Sequence, residues 1–80
     1  MVRRAWLFGS FARGDETSGS DIDILIDVPK EASFTLFDLA GIRERIKKQA
    51  GRKVDIVMER ALRPSVKERI KQDMELIYEA

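Results

Sequence analysis

Apolar and polar positions follow two different periods along this chain. Residues 21–28, DIDILIDV, alternate well: Ile22, Ile24, Ile26 and Val28 share one side, and Asp21, Asp23, Leu25 and Asp27 the other. A period of two sustained over that length predicts a β-strand, and Pro29 ends it. Arg4 to Phe8 (RAWLF) is a shorter run that stops at Gly9, a strand entering a turn. Lys53 to Met58 predicts a third strand, with Val54, Ile56 and Met58 opposite Asp55 and Val57. Residues 9–20, GSFARGDETSGS, hold three of the five glycines, which predicts a loop, with one helical turn around Ser10 to Arg13.

Helical spacing governs the remainder. Leu36, Leu39, Ile42 and Ile46 recur on one face, Thr35 is placed as N-cap with Asp38 three residues on, and Gly51 supplies the stop. Gly41 inside this helix costs up to about 1 kcal/mol against alanine. Pro64 opens a last helix whose stripe is Val66, Ile70, Met74 and Ile77. The order is β, loop, β, α, β, α. It predicts an α/β (α+β) fold, a small mixed sheet of about three to four strands with helices on one face. Residues 1–80 read as a single domain without repeat, low-complexity segment or linker.

Composition narrows the chemistry. A chain of 80 residues, 44% apolar and 36% charged, is globular rather than disordered. At this size folding buries only about 60% of the unfolded surface, so an oligomer or a partner contact that covers apolar surface would help. Fifteen Lys and Arg against fourteen Asp and Glu give a net charge of +1, too little to gather nucleic acid or a membrane. There is no Cys, hence no disulfide, thiol nucleophile or Cys-rich zinc site. There is no His, which removes Ser–His–Asp catalysis and His-ligated zinc. An enzyme built from this chain must work with carboxylates, hydroxyls, Lys, Arg and bound ions. No run of about 18 apolar residues and no signal-peptide pattern occurs. The expectation is a soluble cytoplasmic protein with no membrane or direct nucleic-acid partner.

Asp21 and Asp23 stand two apart on a strand and point the same way, their Cα atoms about 6–7 Å apart. Like charges so placed raise at least one pKa unless a cation sits between them. Hard oxygen ligands favour Mg²⁺, with Mn²⁺ the alternative. Asp55 is a lone carboxylate in a short apolar strand. If its strand neighbours that of Asp21 and Asp23, three carboxylates converge and could hold two ions for in-line displacement at phosphorus. Asp55 is then also the acceptor for a proton from an attacking hydroxyl; on an edge strand it would merely face water. Gly9-Ser10-Phe11-Ala12-Arg13-Gly14 adds a sharp turn, a hydroxyl and backbone N–H groups that can cradle phosphate, with Arg13 able to add a charge-assisted bond. Asp27 shares the aspartate side but lies about 13 Å beyond Asp23, outside the site. Trp6 and Phe8 read as core, Phe34 and Phe37 as core or an exposed partner patch, and Lys47, Lys48, Arg52 and Lys53 as a solvated helix end.

The run from Trp6 to Asp27, WLFGSFARGDETSGSDIDILID, resembles the polymerase-beta-type nucleotidyltransferase superfamily. It is most similar to the minimal nucleotidyltransferases, antitoxin subunits of MNT–HEPN toxin–antitoxin systems. The signature Gly-Ser, spacer, Asp-x-Asp is met by Gly9, Ser10, Asp21 and Asp23, and a later strand carboxylate by Asp55. The tail LRPSVKERI resembles the family's closing helix. The resemblance implies metal binding by Asp21, Asp23 and Asp55. It implies triphosphate contacts from Gly9, Ser10 and, matching the GSxARG variant, Arg13. The implied reaction moves AMP from ATP to a hydroxyl, in the antitoxin branch a tyrosine of a partner HEPN toxin of a type VII-like pair. Family members usually carry a helix before the first strand, and here Ala5 stands so near the start that this helix is expected to be missing, leaving apolar sheet surface uncovered. Two rival readings remain: an idle module that silences a toxin by covering it, and a transferase acting on a small molecule.

Overall fold

The computed structural model describes residues 2–80. Four strands and three helices follow one another as β1 (Arg4–Phe8), α1 (Ser10–Arg13), β2 (Ile22–Asp27), α2 (Leu36–Ala50), β3 (Val54–Met58), α3 (Pro64–Lys71) and β4 (Glu75–Glu79), with a 3-10 turn at Glu59–Ala61. The strands form one mixed sheet in the order β3-β2-β1-β4. β1 pairs antiparallel with β2 and β4, and β2 pairs parallel with β3. A parallel neighbour needs a crossover, and α2 supplies it. The α+β class and small mixed sheet expected from the sequence are observed; the helices, however, do not share one face, since α2 packs on the apolar side and α3 flanks the side of Phe8.

Local chemistry explains the boundaries. Thr35 and Asp38 form a reciprocal capping box: the Asp38 N–H donates to Thr35 Oγ1 at 3.3 Å and the Thr35 N–H to Asp38 Oδ2 at 2.8 Å. Gly51 ends α2 at φ 69°, a left-handed position that glycine enters without penalty. Pro64 stands in the first turn of α3, where its missing N–H costs nothing.

Alternation along β2 sets the two faces. Ile24 and Ile26 join Ala5, Val28, Val54 and Ile56 in the core, and Leu39, Ile42 and Ile46 of α2 pack against them. α2 is therefore the helix that covers the apolar face. α1 and α3 instead line a cleft with Phe8, whose side chain alternates to the opposite face. A second, apolar cavity of about 240 Å³ lies on the core face between α2 residues Ile42 and Ile46 and β4 residues Ile77 and Tyr78. Among the described residues no helix is long and apolar enough to cross a membrane.

Three further expectations are corrected. The last helix stops at Lys71, and Glu75–Glu79 form a strand instead of its continuation. β1 offered a free edge, and Leu76, Ile77 and Tyr78 are good strand formers, so ladder bonds to β1 outweighed the helical spacing. Leu36 has the phase of the α2 stripe yet is 80% exposed, one turn too early to reach the sheet; Phe37 beside it is 89% exposed. Trp6 and Phe8 are half-buried, outside the core, and Arg4 lies 5.8 Å over the Trp6 ring.

Candidate active site

The aspartates meet across a strand pair. β2 and β3 run parallel with Asp23 directly opposite Asp55, and Phe8 of β1 is opposite Asp23 on the other side. Residues that are partners in register project to the same face, about 4.8 Å apart between neighbouring strands. Asp21 lies just before β2, where the Ile22 N–H already donates to the Lys53 carbonyl at 3.0 Å. Two residues from Asp23 in extended backbone, it shares that face. The three predicted carboxylates are thus brought together. β3 is an edge strand and Asp55 is exposed, so the group faces both its neighbours and solvent.

Electrostatics follow from that geometry. Asp23 is half-buried, and its carboxyl is held above the usual carboxylate range, first by burial, then by the charges of Asp55 and Asp21; Arg13 pulls it partly back. The donor set is all carboxylate oxygen, which matches Mg²⁺ or Mn²⁺. A divalent cation would relieve the repulsion that raises Asp23. Among the described residues no three acidic groups are closed around a single point. The strands fix the backbones, and the side-chain torsions are what an ion would set.

Gly9 closes the site on the β1 side. Its φ of 76° and ψ of −154° belong to a region that essentially only glycine occupies. A β-carbon there would run into the Asp23 carboxylate. The chain then turns through α1, with the Arg13 N–H donating to the Gly9 carbonyl at 3.1 Å, and Gly14 ends the turn at φ 77°. Ser10 therefore starts α1 immediately beside the aspartates.

Arg13 stands on the same side, on α1, but its guanidinium is occupied. Nε donates to Asp15 at 3.1 Å and Nη1 to Asp73 at 3.1 Å. Asp27 lies apart, held by Arg3 at 3.3 Å and Arg4 at 3.4 Å.

Sequence reasoning missed Arg52. Its Nη1 donates to the carbonyls of Thr17 at 3.2 Å and Ser20 at 3.0 Å, and its guanidinium lies 4.9 Å over the Phe11 ring. One side chain thus ties the loop before Asp21, and α1, to the strand that carries Asp55. Nothing in spacing separated it from the neighbouring lysines.

Comparison with known proteins identifies the family. The model of the nucleotidyltransferase domain family matches residues 2–77. A Methanocaldococcus jannaschii protein assigned as a protein adenylyltransferase is 36% identical over 69 residues, 86% of this chain and 72% of that protein. Protein adenylyltransferase MntA of Thermococcus cleftensis is 34% identical over 65 residues, 81% of this chain and 64% of that protein. A solved structure assigned as a minimal nucleotidyltransferase superposes with a TM-score of 0.82 at 33% identity, covering 95% of this chain and 76% of that one. A toxin–antitoxin structure with AMP-PNP superposes at 0.81 over 99% of this chain and 62% of that one; at 18% identity the likeness is one of fold.

Proposed function

The chain belongs to the nucleotidyltransferase domain family and is a nucleotidyltransferase, and from that premise we propose that it is an antitoxin that moves AMP from ATP to a partner toxin. Residues 1–80 act as one domain in this reading. The acceptor is a hydroxyl, tyrosine by preference, of a HEPN-type toxin. The observation that carries the reading is the register of Asp23 against Asp55 beside Gly9. Relatives named as protein adenylyltransferases and a fold shared with a toxin–antitoxin structure support the acceptor class.

Each residue has a task in this chemistry. Asp21, Asp23 and Asp55 would hold Mg²⁺, or Mn²⁺ in its place, which when bound supplies neutralisation of the phosphate charge. Gly9 and Ser10 seat the triphosphate against backbone rather than side chains, and Arg13 leaves its carboxylate partners to pair with it. The acceptor oxygen forms a bond to the α-phosphorus while the bond from that phosphorus to the bridging oxygen breaks. Pyrophosphate leaves with the electron pair, and Asp55, exposed at the sheet edge, takes the acceptor proton.

Label transfer tests this. The protein is incubated with ATP labelled at the α-phosphate, Mg²⁺ and the product of the neighbouring gene. Label on that partner, lost with Asp21→Asn, is the expected result. A tight complex without label would favour an idle covering module; label on a small molecule alone would move the acceptor class.

A further inference from the structure

Gly9 has a second neighbour besides Asp23. A cleft of about 360 Å³ opens beside it, running between Arg13 of α1 and the side of α3 that presents Val66, Arg69 and Ile70. These three are spaced three and four apart, so one side of the helix carries them all, and Asp73 follows a turn later. Two guanidinium groups and one carboxylate line the cleft, and that carboxylate is already bonded to Arg13 at 3.1 Å. Arg69 is exposed and takes part in none of the ion pairs among the described residues.

The site therefore has an electrostatic axis. Asp21, Asp23 and Asp55 stand at one end, Arg13 and Arg69 at the other, and Gly9, without a side chain, lies between. We propose that this cleft takes the polyphosphate tail of the nucleotide, with Arg69 as a second phosphate-binding cation beside Arg13, and that pyrophosphate departs along it. The inference rests on the nucleotidyl-transfer reading and adds its direction.

Charge decides the direction. The reacting α-phosphorus lies at the carboxylates, where the ions would be held. When its bond to the bridging oxygen breaks, the electron pair goes to pyrophosphate, and negative charge accumulates there. The three carboxylates would be neutralised by bound ions, and the two guanidinium groups beyond Gly9 attract that charge along the cleft. The planar fork of arginine matches phosphate oxygens. Asp73 competes for Arg13, but exposed ion pairs are weak and yield to a polyanion. The nucleoside then lies on the other side of the aspartates, away from α3.

Calorimetric titration of the full chain with ATP and with AMP, both in Mg²⁺, tests the proposal in the wild type and Arg69→Ala. Circular dichroism checks that α3 survives. Loss of one charge-assisted phosphate contact is expected to weaken ATP about tenfold and to leave AMP unchanged, with Arg69→Lys recovering part of the loss. Equal weakening of ATP and AMP, or unchanged ATP binding, overturns the cleft assignment while the transfer reading stands. A wild type that binds no ATP overturns both.

Discussion

A side chain at position 9 would occupy the space of the Asp23 carboxylate: the β-carbon that Gly9 lacks falls on Asp23 Oδ2. Gly9 also holds φ 76° and ψ −154°, a conformation that costs a residue with a side chain about 1–3 kcal/mol. The glycine is thus required twice, by backbone and by neighbour. Gly9→Ala is expected to destabilise the protein by that cost plus on the order of 1 kcal/mol for the overpacking that turns the half-buried Asp23 carboxylate aside, and to end transfer by displacing Asp23. In an Asp23→Ala background the overpacking disappears and the backbone cost remains. A double-mutant cycle in urea should therefore give a coupling on the order of 1 kcal/mol or more. Strictly additive costs would mean that the two residues do not compete for space.

Asp23 also makes the stability of the fold depend on pH in an unusual direction. Its carboxyl is raised in the folded state by burial, then by Asp55 and Asp21. The folded protein therefore holds this proton more tightly than the unfolded chain. As pH rises from the ordinary carboxylate range, near pH 4, towards the raised folded value, this group takes stability away, and the loss persists above it. Asp23→Asn removes the effect. The variant should melt higher than wild type at neutral pH while transferring nothing, and its advantage should shrink as the pH falls through that range. Melting curves from about pH 3 to pH 8 decide it; parallel profiles would contradict the assignment. By NMR, Asp55→Asn should lower the Asp23 titration midpoint more than Asp21→Asn does.

Asp21→Asn separates chemistry from folding. Asp21 lies ahead of β2 and makes no ion pair among the described residues, so its loss leaves the sheet intact. Stability should move by less than about 0.5 kcal/mol. Transfer should fall by about a hundredfold or more, the scale of losing one group that stabilises charge in the transition state. Initial rates with saturating ATP measure it, and near-wild-type turnover would remove Asp21 from the ion site.

How much of this was legible beforehand varies by element. β1, β2 and β3 were, because alternation and glycine or proline stops are local signals. So were the caps at Thr35, Gly51 and Pro64. The aspartate cluster was legible as well, since strand alternation aligns Asp21 with Asp23, and only the pairing of β2 with β3 had to be supplied by the fold. β4 was not, because Met74 and Ile77 continue the helical phase of Val66 and Ile70, and its partner β1 lies some seventy residues away along the chain. Arg52 and Arg69 were invisible for another reason. A cation at a helix end looks like any other until loop carbonyls or a cleft form beside it.

Arg52 gives the strap on the site a measurable value. It is half-buried, bonds two loop carbonyls and covers Phe11. Arg52→Ala should cost about 1–2 kcal/mol of stability and release residues 14–20 to faster amide exchange. Arg52→Lys should recover little, because a point ammonium cannot span both carbonyls and stack on the ring. With the loop freed, Asp21 loses its fixed approach to Asp55, so kcat should fall more than KM rises. Full rescue by lysine would show that charge alone matters.

Asp27 tests where the site ends. It occupies the same strand side as Asp21 and Asp23 but is buried, 9% exposed, and paired with Arg3 and Arg4. Its backbone carbonyl also accepts from the Arg3 N–H at 2.8 Å, so the residue anchors the start of β1 to the end of β2. Both arginines are largely exposed and solvent screens the pairs, which limits their worth to on the order of 1 kcal/mol. Asp27→Asn keeps the shape and one acceptor oxygen while removing the charge. It should lower stability by roughly that amount and leave the transfer rate unchanged, the reverse of Asp21→Asn. Unfolding curves and initial rates on the same preparations decide it. A variant that folds as well as wild type but transfers nothing would push the boundary of the site past Asp23 and along β2.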